Sequence, residues 1–389
     1  MQMRDGFGTR NLALGAGVSA VAFSSVCALV LTASTAAAHR PGWSVEDGSG
    51  AVPSERSRPA VAALGKRIYL FGGLFDDFSS GEFVGLDDLY RYDTRSDRWS
   101  RLAPEGPGPE ARGFAGYAAV PQKRGFAVFG GGVYGADLNV TIFQDLWLYT
   151  PADNRWTEVI ADNDGPPPRF DPKMWADGDT LYVFGGLNEQ FSVNNDLWAY
   201  SFATNRWRLV TEQGAEGSPS PRANAVGPDG ARRGKLYLYG GEGSPDLGFP
   251  ILGDVWQFDV QTQRWQELSP DDGSTAPEPR NHGSVVWIDG ALYLYGGDVS
   301  GGTRGCGAPF PQNPIGEMWR FAPGGRRWQR VETLRAPGPL KRHVGVAVGR
   351  SMYLLGGYDF AVRGSEAEPC QVWNLSVHRY RPSRWVGLR

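Results

Sequence analysis

The chain lacks any stretch that reads as an amphipathic helix, any excess of charge of one sign and, beyond its N-terminus, any long hydrophobic run. Missing helical periodicity argues against helix bundles and α/β folds. Formal net charge is −3, with 39 basic and 42 acidic residues interspersed, so there is no electrostatic footprint for nucleic acid or an anionic membrane surface. Cysteine and histidine are scarce, at three and four residues, which leaves few candidates for thiol, metal or acid–base chemistry. What the chain has in abundance is glycine (54), proline (28) and tryptophan (14). That mixture fits many short strands joined by turns.

The one long apolar run is N-terminal. Arg4 and Arg10 precede a largely apolar segment from Leu12 to Leu31, and Ala36-Ala37-Ala38 supplies small residues at a signal-peptidase site. Residues 1–38 are therefore expected to be a signal peptide cut before His39, and the rest a single domain over 39–389. Secretion follows, or a periplasmic location in a Gram-negative host. The alternative is an uncleaved anchor, since the run approaches the length of a membrane span. Contact with a membrane is expected only in that case.

A six-fold repeat organises the remainder. "IYLFGG", "FAVFGG", "LYVFGG", "LYLYGG", "LYLYGG" and "MYLLGG" place their first glycines at 72, 130, 185, 240, 296 and 356, spaced by 58, 55, 55, 56 and 60 residues. Each copy continues, after a variable loop, into a segment such as "QDLWLYTPADNRW", with two aromatics nine residues apart in five copies. These second aromatics are Trp99, Trp156, Trp207, Trp265 and Trp328. Aligned without a gap, the sixth copy reads "WNLSVHRYRPSRW", with Ser376 in the first aromatic position and His378 in the Tyr/Phe position. Alternating apolar residues have strand period; the double glycine lets the chain turn where a Cβ would not fit. The aromatics fill the gap between neighbouring sheets.

This pattern, a hydrophobic strand with Gly-Gly, then Asp-Leu-Trp-x-Tyr/Phe, then a Trp opening a last strand, resembles the Kelch repeat and covers nearly all of the chain after residue 38. The resemblance implies an all-β, six-bladed β-propeller with four antiparallel strands per blade around a central channel. A final-strand signature occurs seven times, because "GWSVE" at Trp43 is similar to "RWTEV" at Trp156. The strand around Trp43 is expected to complete the blade holding the C-terminus; closure by residues 385–388 is the alternative.

In such a blade the loops between strands two and three share a face with the links between blades. Those loops are long here, 10 to 20 residues from the second glycine to the Asp-equivalent position, so the site belongs on that face. Each link ends in a Pro-rich run and a basic residue: Arg58, Arg112, Arg169, Arg222, Arg280 and Arg342. Six arginines around a channel mouth would need carboxylates or a bound anion to offset them. One reading is a receptor for a carboxylate, phosphate or sulfate, with Asn224 and Asn281 adding hydrogen bonds. The other is that the arginines pair with acidic loop residues and brace the blades. A second series, Arg98, Arg155, Arg206, Arg264, Arg327 and Arg384, recurs before the last-strand Trp and is expected on the outer rim.

Asp171, His282 and His343 follow the link arginines and are the candidate acid–base groups. Metal is not expected: the specifier proteins of this repeat type carry Glu-x3-Asp-x3-His, whereas the nearest match here, Cys370-x3-Asn374-x3-His378, keeps only the last ligand. No cofactor is expected. Cys306 and Cys370 lie in the two longest loops, and an oxidising compartment would join them in a disulfide; a free reactive pair is the alternative. Asn139-Val-Thr is a glycosylation sequon. The expected function is a secreted, monomeric binding protein for a polar, anionic ligand such as an acidic sugar, small carboxylate or peptide. The alternative is a cofactor-free isomerase or lyase similar to the sialic-acid mutarotases.

Overall fold

In a computed structural model, residues 41–135, 139–244, 248–269, 276–303, 308, 310–360 and 371–383 are described. The fold is all-β, and each repeat builds one antiparallel sheet. The second repeat gives the plainest form: Gly116–Val120, Gly125–Phe129, Leu146–Thr150 and Arg155–Glu158 pair in sequence order. The third and fifth repeats do the same over Lys173–Asp177 to Arg206–Thr211 and Ser284–Ile288 to Arg327–Arg330. In the first, the central strands Arg67–Asp77 and Glu82–Asp93 extend into a long hairpin. Ser49–Gly50 adds a fifth, parallel strand at its outer edge.

The fourth repeat departs from the expected four strands. Its sheet has three, Lys235–Glu242, Ile251–Asp259 and Arg264–Ser269. The innermost segment meets it only through isolated bridges, Ala223 with Glu242 and Val226 with Tyr239. Gly227-Pro228 explains the interruption: proline has no N–H to give to a ladder, and glycine supplies no side chain to pack.

The sixth sheet settles which terminal segment completes it. Its order is Val344–Val348, Ser351–Leu355, Val377–Arg381 and then Gly42–Glu46. Trp43 pairs with Tyr380 and lies 5.3 Å from its ring, as Trp156 lies 5.2 Å from Tyr149 in the second repeat. The N-terminal strand thus takes the outer place in this sheet that the last strand takes in the second repeat.

Packing runs between consecutive sheets. Tyr69, Phe71 and Leu89 of the first repeat meet Phe126, Trp147 and Trp156 of the second, and corresponding clusters join second to third, third to fourth, fourth to fifth and fifth to sixth. A further cluster packs Val344, Val346 and Tyr353 of the sixth against Val61, Tyr92 and Trp99 of the first.

The double glycines lock neighbouring repeats together. Gly130 has φ +61°, and a Cβ there would stand 2.7 Å from the carbonyl oxygen of Arg169 in the next repeat. Gly131 N–H donates to that same carbonyl at 2.8 Å. Equivalent bonds link Gly73 to Arg112, Gly186 to Arg222 and Gly297 to Leu340, and Gly357 of the sixth repeat donates to Arg56 of the first.

Candidate functional site

Those bonds fix which link residues are equivalent, and they correct the arginine series. The positions are Arg56, Arg112, Arg169, Arg222, Arg280 and Leu340. Arg58 and Arg342, expected in the same series, stand two residues further on.

The first five side chains are braces. Arg112 reaches Asp145 through two bonds of 2.5 and 2.9 Å, Arg169 reaches Asp196 at 2.5 and 2.6 Å, and Arg222 reaches Asp254 at 2.5 and 2.8 Å. Arg56 holds Asp88 in the same manner, and Arg280 reaches Glu317 through one bond of 3.4 Å. Each arginine also donates to the carbonyl of the first glycine in its own repeat, 2.9 Å for Arg169 to Gly185. In the second to fifth repeats the carboxylate, in turn, accepts from the indole two residues further on, as Trp198 donates to Asp196 at 2.8 Å. The recurring Asp-Leu-Trp is therefore half of an Arg–Asp–Trp tie. Arg112, Arg169, Arg222 and Arg280 are nearly fully buried, and their forks are occupied by the protein's own carboxylates.

A signal for this was present in the sequence. Five repeats carry both the arginine and the acid, and the sixth lacks both. Strand register puts Ser376 and His378, not Asn374 and Ser376, in the Asp and Trp positions: His378 pairs with Leu354 as Trp147 pairs with Val128. The gap-free alignment of the sixth copy was off by two residues, and His378 fills the Trp position rather than the Tyr/Phe one, which Tyr380 takes. Asn374 compensates for the absent arginine, its amide donating to Gly356 O at 3.0 Å.

Two residues past the braces the chain turns into the channel. Arg58, Phe114, Asp171, Asn224, His282 and Arg342 all have φ between +49° and +56°, a left-handed backbone uncommon for such side chains. Their main chains bond to one another: Arg58 N–H to Arg342 O at 2.8 Å, Phe114 to Arg58 at 3.2 Å, Asp171 to Phe114 at 2.7 Å and Arg342 to His282 at 3.0 Å.

These side chains meet over the channel. One nitrogen of the Arg58 guanidinium, Nη2, lies 2.5 Å from Asp171 Oδ2, 2.8 Å from Asn224 Oδ1 and 2.9 Å from His282 Nδ1. Arg58 and Arg342 both lie over the Phe114 ring, at 5.3 and 5.2 Å, and Phe114 stacks on Phe170 at 4.4 Å. Arg342 bonds Asp76 and, at 2.8 Å, Tyr134. Lys341 bonds Asp298 and Gln312. Glu242 accepts from Asn224 at 3.0 Å and Asn281 at 3.3 Å. The cluster is a polar plug in which every cation named has an anionic partner.

Burial sets its protonation. Burial, with Arg58, Arg342 and Lys341 nearby, holds His282 well below its ordinary value, so it is neutral. Burial pushes the Asp171 carboxyl up while Arg58, Arg342 and Lys173 pull it back. His343 is one residue further along, fully buried, its ring 6.0 Å from that of Tyr295; burial lowers it to about 3. Asp171 and His282 come together on Arg58; His343 does not join them.

Below the plug lies a cavity of about 40 Å³, lined by residues that include Arg58, Tyr117, Asp171, Lys173 and His343. At roughly 10–15 Å³ of such space per molecule, it holds about three waters. Above the plug, the loops of the first, fifth and sixth repeats form their own apolar cluster of Phe78, Ala308, Tyr358 and Phe360. In the third and fourth repeats, the corresponding loops expose Phe191 (49%) and Phe249 (48%).

The outer arginines Arg98, Arg155, Arg206, Arg264 and Arg327 are exposed beside the last-strand aromatics, on the rim as expected; Arg384 lies outside the described residues. Cys306 and Cys370 also lie outside them. Asn139 is exposed. Among the described residues no group of three or more His, Cys, Asp or Glu is placed to hold a metal.

Comparison with known proteins agrees with the repeat. The chain is 28% identical over 273 residues to the leucine-zipper-like transcriptional regulator 1 homolog of Drosophila melanogaster, covering 67% of this chain and 26% of that protein. It is 27% identical over 266 residues to Kelch domain-containing protein 10 of Homo sapiens, covering 66% and 55%. Host cell factor of Drosophila melanogaster matches at 27% over 297 residues, 72% of this chain and 18% of that protein. The chain thus spans from under a fifth to about half the length of these relatives. The KLHDC2/KLHL20/DRC7 Kelch-repeats domain matches residues 36–228 and 116–357; together with the repeat sheets and the Arg–Asp–Trp ties, this makes the chain a member of the Kelch-repeat family.

Proposed function

We propose that this protein is a six-bladed Kelch propeller acting as a binding module, and that its loop face receives a protein segment rather than a small molecule. Six repeat sheets packed in succession, with the sixth bonded to the first through Gly357 and Arg56, support the blade count. The observation that carries the ligand reading is the plug. Arg58, with Asp171, Asn224 and His282, closes the channel mouth, and the cavity beneath it is too small for a sugar. The arginines that would have favoured an acidic sugar or small carboxylate already hold carboxylates. A ligand must therefore lie across the loops, where the exposed Phe191 and Phe249 offer apolar anchors. Aromatic anchors of this kind dominate protein interfaces. An isomerase would need Asp171 or His282 free to move a proton, and both are engaged by Arg58.

Selection of displayed peptides against the intact protein tests this. Peptides so obtained should lose at least tenfold in affinity to the Phe191→Ser, Phe249→Ser double variant, whose melting temperature should stay within a few degrees. Peptides indifferent to both substitutions, together with stabilisation by acidic sugars, would reverse the reading in favour of a small anion. We further propose that residues 1–38 direct export and are removed before His39.

A further inference from the structure

The cavity under the plug holds a cation with no counter-ion in contact. Lys173 opens the inner strand of the third repeat, is 9% exposed and lines the cavity. Its Nζ lies 5.9 Å from the centre of the Tyr117 ring and 5.5 Å from that of Trp175. Among the described residues, no acceptor stands within hydrogen-bond or ion-pair distance of it. By contrast Lys123, Lys235 and Lys341 each have a carboxylate partner. Arg58 lines the same cavity, and its Nε is a buried donor with no partner, although its Nη2 is saturated.

Unpaired buried donors and an unpaired buried ammonium are costly. Cation–π contact with two rings offsets part of this for Lys173, but neither ring supplies an acceptor. Asp171 in the same cavity is committed to Arg58, which leaves Lys173 as a net positive charge among fixed donors. Water supplies acceptors without charge; an anion supplies both.

We propose that this cavity is a binding site for a small monoanion, a halide or a one-carbon carboxylate, held by Lys173 Nζ with the Arg58 side chain in its wall. The volume, about that of three waters, admits an ion of that size. The site shares Arg58 and Asp171 with the plug, but Phe191, Phe249 and the Asn224–Glu242–Asn281 group do not line it. Charge on Lys173 is tunable: burial lowers the amine to about 8, Asp229 and Asp171 raising it and Arg232 lowering it. His343 and Tyr117, also at the cavity, are neutral at that pH. Affinity should therefore be present below pH 8 and fade above it as the ammonium loses its proton.

The test compares melting temperatures of the full-length protein in sodium chloride, sodium formate and sodium gluconate at one ionic strength. Chloride or formate should raise the melting temperature relative to gluconate, and the more effective salt identifies the class of ion. The rise should disappear in Lys173→Met, persist in Lys66→Met at an exposed lysine, and diminish as pH passes 8. Equal melting temperatures in all three salts overturn the proposal, as does a rise that survives in Lys173→Met. Should Lys173→Met fail to fold, crystals of the unaltered protein soaked in bromide decide: an anomalous peak between Lys173 and Arg58 supports the site, and an empty cavity refutes it.

Discussion

At the scale of single residues, the buried arginines divide by two positions of register into braces and plug, and the division has measurable consequences. Removing one partner of a buried pair leaves an uncompensated charge, so Arg169→Leu alone should cost about 3–5 kcal/mol in urea unfolding. Adding Asp196→Ser copies the sixth repeat, which lacks both partners, and should recover a substantial part of that loss; no recovery would mean that the pair is not the unit of stability. Arg155→Ala on the exposed rim should change stability by less than about 0.5 kcal/mol. His343 gives a pH signature. Its folded value is about 3 against an ordinary value near 6.5, so between these limits the unfolded chain binds more protons. Stability is thus retained above pH 6.5 and lost as pH falls towards 3, by up to about 1.4 kcal/mol per pH unit. His343→Leu should flatten that slope, and an unchanged slope would assign the acid sensitivity to other groups.

At the scale of strands, much was legible in the sequence. The apolar run before each Gly-Gly, the Asp-Leu-Trp segment and the later Trp marked three strands of most sheets, because their burial recurs at a fixed spacing. Two things escaped. The sixth repeat carries a two-residue shift before Val377, exposed by the pairing of His378 with Leu354 and Tyr380 with Met352, because His378 stands where the other repeats carry the first aromatic. The functions of Arg58 and Arg342 were likewise hidden, because Pro-rich links of different length end in similar letters, and only backbone bonding distinguishes Arg56 from Arg58. The seventh copy of the last-strand signature was read correctly from Trp43 alone. That residue is 4% exposed and lies 4.8 Å from Tyr295 in edge-on contact, so Trp43→Ala should destabilise the fold by about 3–5 kcal/mol. A loss below 1 kcal/mol would show that the strand is dispensable.

Across the whole molecule, completion of the sixth sheet by Gly42–Glu46 means that segments from opposite ends of the repeat array are parts of one sheet. Export and folding are then linked. If residues 1–38 are removed after crossing a membrane, N-terminal sequencing of the mature protein should begin at His39, three residues before the strand at Gly42. Cleavage inside Gly42–Glu46 would instead strip the sixth sheet of its outer strand. The pairing of Gly42 with Arg381 and Glu46 with Val377 also has a mechanical meaning. The chain enters Gly42–Glu46 and leaves Val377–Arg381 at the same end of the seam, so tension applied along the chain on either side peels the two strands apart one bond at a time instead of shearing the whole ladder at once. Under load the molecule should open at this seam first, at low force, while the five other sheets remain folded.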